Sequence, residues 1–158
     1  MARILLVFGN PGNGKSTLAN RLKTEHGFEV VSVDDAYVQW VESRCQSLYF
    51  EALDKFIAQH YHSILAGDYS KGVFGRDLIA EWHSYLLALI IECSQKHDSL
   101  VVEGYLLFDC KDTYERQLTK HRAQVFQIHA ENHLYSTTAR LSIEEIASLG
   151  APTTKRAL

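Results

Sequence analysis

Arg3-Ile4-Leu5-Leu6-Val7-Phe8-Gly9-Asn10-Pro11-Gly12-Asn13-Gly14-Lys15-Ser16-Thr17 is the stretch on which the fold turns. Ile4 to Phe8 is an unbroken run of large and β-branched apolar residues, as a strand buried on both faces of a parallel sheet requires. Gly9 ends it. From Gly9 to Ser16 the residues satisfy G-x-x-x-x-G-K-[ST], and a helical pattern starts at Lys15. That strand, loop, helix order is the setting in which such a loop binds phosphate: glycines fold the backbone into a nest of N–H groups, and the helix start adds partial positive charge.

Similar apolar runs recur at Glu29 to Val33, Leu100 to Glu103 and Ala123 to Ile128. Between them the period becomes helical. Lys15 to His26 stops at Gly27, and a second stretch sets Tyr49, Leu53, Phe56, Ile57, Tyr61, Ile64 and Leu65 on one face before Gly67. A third helix is expected to begin at Asp77 as N-cap and to carry Leu78, Ile79, Trp82, Tyr85, Leu86, Leu89 and Ile90 in the i, i+3, i+4 pattern. Shorter helices are predicted at Asp112 to His121 and Ser142 to Leu149, with Ser142 and Glu145 as a capping box. Strands alternating with helices imply an α/β fold, a parallel sheet of about four or five strands with helices on both faces. Ligands of such sheets bind at the carboxyl ends of the strands. With the Gly9 to Ser16 motif, the expected architecture is the three-layer P-loop NTPase fold. Residues 1–158 are read as one domain, with 129–158 a partial lid and C-terminal helix.

The loop implies a nucleotide, and ATP with Mg²⁺ is the expected pair. The run from Gly9 to Thr17 is the candidate nucleotide-binding set. Lys15 is placed to reach the β- and γ-phosphates, and Ser16 to ligate Mg²⁺.

Phe28-Glu29-Val30-Val31-Ser32-Val33-Asp34-Asp35 brings carboxylates to the end of the second strand. A carboxylate there can orient an acceptor hydroxyl and take its proton. The alternative is that Asp34 or Asp35 caps a helix starting near Ala36. The arrangement resembles the P-loop kinases of the nucleoside, polynucleotide and small-metabolite groups. By that resemblance Asp34 is the catalytic base or helps hold magnesium.

Leu100-Val101-Val102-Glu103 is an apolar strand ending in an acid, the position from which a carboxylate contacts the Mg²⁺ shell through water. Val102-Glu103-Gly104-Tyr105-Leu106-Leu107-Phe108 resembles the corresponding segment of uridine kinases. Ser16, Asp34 and Glu103 are therefore the candidate metal residues. The resemblance to polynucleotide 5′-kinases implies that Arg140 is a lid arginine that neutralises charge on the transferred group. Their paired arginine falls near Ser136, and the arginine they carry after the catalytic Asp falls near Tyr37. The sequence ends at Leu158, before the fifth strand and adenine-contacting loop of uridine kinases.

His60, His62, His129 and His133, with Glu131 beside the last pair, invite a metal reading. They lack a further cluster at zinc-ligand spacing, and are read as structural or surface residues. Tyr37, Trp40, Arg44, Lys71, Phe74 and Arg76 would face an acceptor in a kinase of this shape, and each singly reads as packing or solvation. Cys45, Cys93 and Cys110 have no C-x-x-C spacing and suit a reducing, cytoplasmic setting. The apolar start is too short for a membrane span. Lys and Arg total 16 against 19 Asp and Glu, a formal charge of -3, so nucleic acid is a possible but not a favoured partner.

The expected activity is therefore transfer of the γ-phosphoryl group of ATP to a hydroxyl of a small metabolite, with Lys15, Asp34 and Arg140 as the catalytic candidates. A polynucleotide or modified-base kinase is the near alternative. A non-kinase ATPase or a degenerate nucleotide-binding module is the distant one, and neither an N-K-x-D nor an L-S-G-G-Q segment occurs.

Overall fold

The side chains of β1 (Arg3–Phe8) alternate between two cores, and that alternation organises the molecule. Ile4, Leu6 and Phe8 enter one apolar cluster, Leu5 and Val7 another. The computed structural model describes residues 1–44, 72–104 and 107–151. The helix expected from Tyr49 to Leu65 lies outside the described residues, as do Cys45 and Lys71.

In chain order β1 is followed by α1 (Lys15–His26), β2 (Glu29–Ser32), α2 (Val33–Arg44), α3 (Gly72–Lys96), β3 (Ser99–Glu103) and α4 (Leu107–Lys120). β4 (Gln124–Glu131), β5 (Leu134–Ser136), β6 (Arg140–Leu141) and α5 (Ile143–Ser148) complete the described chain. The fold is mixed α/β. Among the described residues the strands form one six-stranded sheet in the order β2-β3-β1-β4-β5-β6. β2, β3, β1 and β4 are parallel, with Ile4 opposite Leu100 on one side and Val125 on the other. β5 and β6 add two antiparallel strands beside β4.

The expectation of four or five parallel strands is thus corrected to four parallel and two antiparallel. β4 outruns its predicted end at Ile128 because Phe8 pairs with His129, and Glu131 then pairs with Leu134. The turn between them is only Asn132 and His133, both left-handed with φ of 51° and 59°. Two-residue hairpins need that geometry, and asparagine is among the side chains that tolerate it best.

Helices cover both faces. α2, α3 and α4 bury Val33, Ala36, Tyr37, Trp40, Trp82, Leu86, Ile90, Leu107, Tyr114 and Leu118 with Ile4 and Leu6. α1 and α5 bury Leu18, Ala19, Leu22, Ile146 and Ala147 with Leu5 and Val7 on the opposite face. Each large apolar side chain so buried contributes on the order of 1.5–3 kcal/mol.

Helix limits follow local chemistry. α1 ends where Gly27, at φ 73°, sends its N–H back to the Leu22 carbonyl. α5 starts with the expected capping box: Ser142 Oγ accepts from the Glu145 N–H, and Glu145 Oε1 from the Ser142 N–H. Two starts lie earlier than predicted, at Gly72 rather than Asp77 and at Leu107 rather than Asp112. For α4 the reason is visible: Leu107 is fully buried in line with Tyr114 and Leu118, so the apolar face begins a turn sooner.

Candidate functional site

The carboxyl ends of β1, β2 and β3 converge where α1 begins, and Lys15, Ser16, Asp34 and Glu103 meet there. The loop between β1 and α1 turns on positive-φ glycines, among them Gly12 at 81° and Gly14 at 96°. Gly14 is the N-cap of α1 and makes no side-chain cap bond, so the first helical N–H groups are not spent on a capping side chain. A side chain at Gly14 is ruled out twice. Its φ is left-handed, and a Cβ would lie 2.7 Å from His133 Nδ1 and 2.9 Å from the Tyr135 hydroxyl oxygen.

Gly12, Gly14, Lys15, Ser16, Thr17 and His133 line a depression of about 290 Å³ over this helix start. Backbone amides, a helix N-terminus and one ammonium are suited to a multiply charged anion. Of the remaining loop residues, Gly9 and Asn10 do not line it but present carbonyl oxygens to Lys15 Nζ at 2.8 and 3.0 Å. Asn13 faces the hairpin, its Oδ1 accepting the Asn132 N–H at 3.2 Å and its carbonyl the His133 N–H at 3.0 Å. Pro11 is exposed and lines neither this depression nor the cleft beside it.

On the other side of Ser16 a second cleft of about 490 Å³ is lined by Ser16, Asn20, Lys23, Ser32, Asp34, Asp35 and Glu103, among others. Ser16 belongs to both. Asp34 and Asp35 lie in the first turn of α2, which starts at Val33 and not near Ala36. Ser32 takes the capping role instead, its Oγ accepting the Asp35 N–H at 3.3 Å. The cap explanation for the two aspartates is thereby removed. Their negative charge at a helix N-terminus is stabilised by the helix dipole whatever else they do.

Glu103, 8% exposed, is buried at the end of β3 opposite Ser32. Burial pushes its carboxyl group above the usual range, and the charge of Asp34 adds to the rise. Lys15 and a hydrogen bond from Ser32 oppose it. Lys15 mirrors this: burial lowers its ammonium, while Glu103 and Asp34 hold it up. The three groups thus feel one another across a single site. Gly104 lets β3 end there, because a Cβ on it would run into the Val33 side chain at the head of α2.

Excess carboxylate around the exposed Ser16 hydroxyl suits a hard divalent cation. Among the described residues, the one acidic and histidine group tight enough to grip an ion directly is Glu25, His26 and Glu144, exposed and elsewhere. Asp34, Asp35 and Glu103 are more widely spaced. They fit Mg²⁺, which keeps several of its waters, better than an ion needing a full protein cage.

Arg140 is not brought to either cleft. It lies on β6 opposite Ser136 and lines a separate groove of about 430 Å³ with Glu131, Asn132, Leu134, Tyr135, Thr138 and Ala139. Tyr37 and Trp40 are core residues, packed on Trp82 with ring centroids 5.5 Å from each.

Sequence reasoning missed the hairpin. Tyr135 donates a buried 2.8 Å hydrogen bond to the Gly14 carbonyl, and His133 borders the depression. The available signal was Asn132, a residue suited to a left-handed turn between two short strands.

No family model matches the chain. No curated protein matches it either. Among solved structures it is similar to a crystal structure of a "putative kinase" from Chloroflexus aurantiacus J-10-fl, with a TM-score of 0.50 and 19% sequence identity. The match covers 82% of this chain and 59% of that one, so the chain spans little more than half of that protein's length. At this identity the likeness is one of fold. None of the described helices is long and apolar enough to cross a membrane.

Proposed function

We propose that the chain is an ATP-dependent phosphotransferase that moves the γ-phosphoryl group to a hydroxyl of a small metabolite. The observation that carries the reading is the convergence of Lys15, Asp34 and Glu103 on one electrostatic unit at the mouth of a glycine loop. The fold shared with a protein described as a kinase points the same way. A cleft of about 490 Å³ beside Asp34 is of the size that takes a small molecule.

In this reading the amides from Gly12 to Thr17 hold the polyphosphate. Lys15 Nζ leaves the Gly9 and Asn10 carbonyls to balance charge on the β- and γ-phosphates. Ser16, Asp34 and Glu103 would hold Mg²⁺, which when bound supplies further neutralisation of the phosphate oxygens. Asp34 orients the acceptor hydroxyl and takes its proton as the new O–P bond forms and the bond to the bridging oxygen of ADP breaks.

The test is transfer from γ-labelled ATP with Mg²⁺ to a panel of hydroxyl compounds. Asp34→Asn should cut transfer by about 10²–10⁴-fold. Transfer at the wild-type rate in that variant would remove Asp34 from the mechanism. A second reading, hydrolysis by an ATPase, draws on the placement of Arg140 in the separate hairpin groove, away from the transferred group. Label reaching water alone, insensitive to Asp34→Asn, would select it.

A further inference from the structure

We infer that His133, at the tip of the β4 to β5 turn, is a phosphate ligand of the nucleotide site and positions the part of the polyphosphate that is not transferred. The inference rests on the nucleotide-binding reading above, and it adds a residue that lies outside the loop motif.

Three observations lead to it. The imidazole lines the same depression as Gly12, Gly14, Lys15, Ser16 and Thr17, although it arrives from the far side of β4. It is held there by a built contact. The His133 N–H donates to the Asn13 carbonyl, the Asn132 N–H to Asn13 Oδ1, and the Tyr135 hydroxyl to the Gly14 carbonyl at 2.8 Å. Gly14 has no room for a methyl group because His133 occupies that space, so imidazole and helix start are packed together.

The third observation is the cost of placing histidine there. At φ 59° His133 occupies a left-handed position where glycine is the preferred second residue of a two-residue hairpin. Asn-Gly would make the turn with less strain, so the turn alone does not account for the imidazole. A non-glycine residue held in the left-handed region beside a depression is the kind of backbone outlier from which function is inferred. An imidazole offers an N–H donor to a phosphate oxygen in either protonation state.

The layout fixes which phosphates it serves. Ser16 is shared by the two clefts, with Asp34 on one side and His133 on the other. A polyphosphate whose terminal group faces Asp34 must therefore direct its inner phosphates toward Thr17 and His133.

His133→Gly is the informative variant, because glycine keeps the turn and removes only the side chain. Binding of Mg·ADP and of Mg·tripolyphosphate is measured by titration calorimetry, with Tm as the control for folding. Both ligands should bind about ten-fold more weakly, the worth of one hydrogen bond to a charged group, while Tm is held or raised. Loss confined to ADP would place the imidazole on the nucleoside and overturn the inference. So would affinities within about two-fold of wild type. If Lys15→Ala still loses ADP binding in that case, the nucleotide reading stands while the His133 inference falls; if the wild-type chain binds neither ligand, both fall.

Discussion

The cleft beside Asp34 and Glu103 is built from the ends of parallel strands, whereas the depression beside His133 is walled by an antiparallel hairpin folded back on the glycine loop. In the first, Asp34, Asp35 and Glu103 sit at a strand end or in the helical turn that follows, so their place in the chain already states their place in space. In the second, the decisive residues lie more than a hundred positions from the loop they touch, and only the register of β4 against β1 brings them there. Chemistry written into strand ends is read from spacing. Chemistry delivered by a hairpin is not.

Lys15 belongs electrostatically to the carboxylate side and sterically to the loop, and its loss should have the largest effect. Lys15→Ala should lower phosphoryl transfer by about 10³-fold or more, measured with labelled ATP. A loss of less than about ten-fold would mean that the charge pair with Glu103 and Asp34 is incidental.

Next in size is Gly14→Ala, which attacks the hairpin side. It forces a methyl group against His133 and Tyr135 from a left-handed backbone, and should destabilise by about 2–4 kcal/mol. In a chain of this length each 1 kcal/mol moves Tm by roughly 2–4 °C. An unchanged Tm would show that the hairpin is free to retreat and does not wall the loop. Tyr135→Phe sharpens the same point more gently. Losing its buried bond to the Gly14 carbonyl, which keeps the Leu18 N–H as a donor, should cost about 0.5–1.5 kcal/mol, seen as a fall in denaturation midpoint.

The smallest effect is expected at Glu103 and has the opposite sign. Its carboxyl group is pushed up by burial, then by Asp34. A carboxyl raised on folding contributes stability that is fully present below its ordinary value and is lost as pH rises through the raised one. Glu103→Gln should therefore match the wild type in Tm in acid and overtake it toward neutral pH, while transfer activity falls. A wild-type advantage at neutral pH would show that Lys15 and Ser32 more than offset the burial.

What was legible in the sequence divides along the same line. Ile4 to Phe8, Gly27 and the Ser142 to Glu145 box stand where they were expected, because each depends on neighbours within a few positions. Lys15, Asp34 and Glu103 were legible as a set for a further reason: parallel strands present their carboxyl ends at one edge. β5 and β6, three and two residues long, are too short to show alternation, and nothing local marks them as partners of β4. Arg140 was placed by resemblance to a lid and lies instead in a strand opposite Ser136, where cross-strand pairing, not distance along the chain, decides its company.

The tapering of those last two strands has a consequence for how the molecule behaves in company. β4, eight residues long, would make a broad sticky margin if it ended the sheet, since its amide and carbonyl row could recruit a strand from another chain. β5 pairs with three of its residues, His129 to Glu131, and β6 pairs in turn with two of β5. The hairpin that closes on the glycine loop therefore also covers the carboxyl end of that margin, and trimming it would lengthen the row open to a strand from another chain.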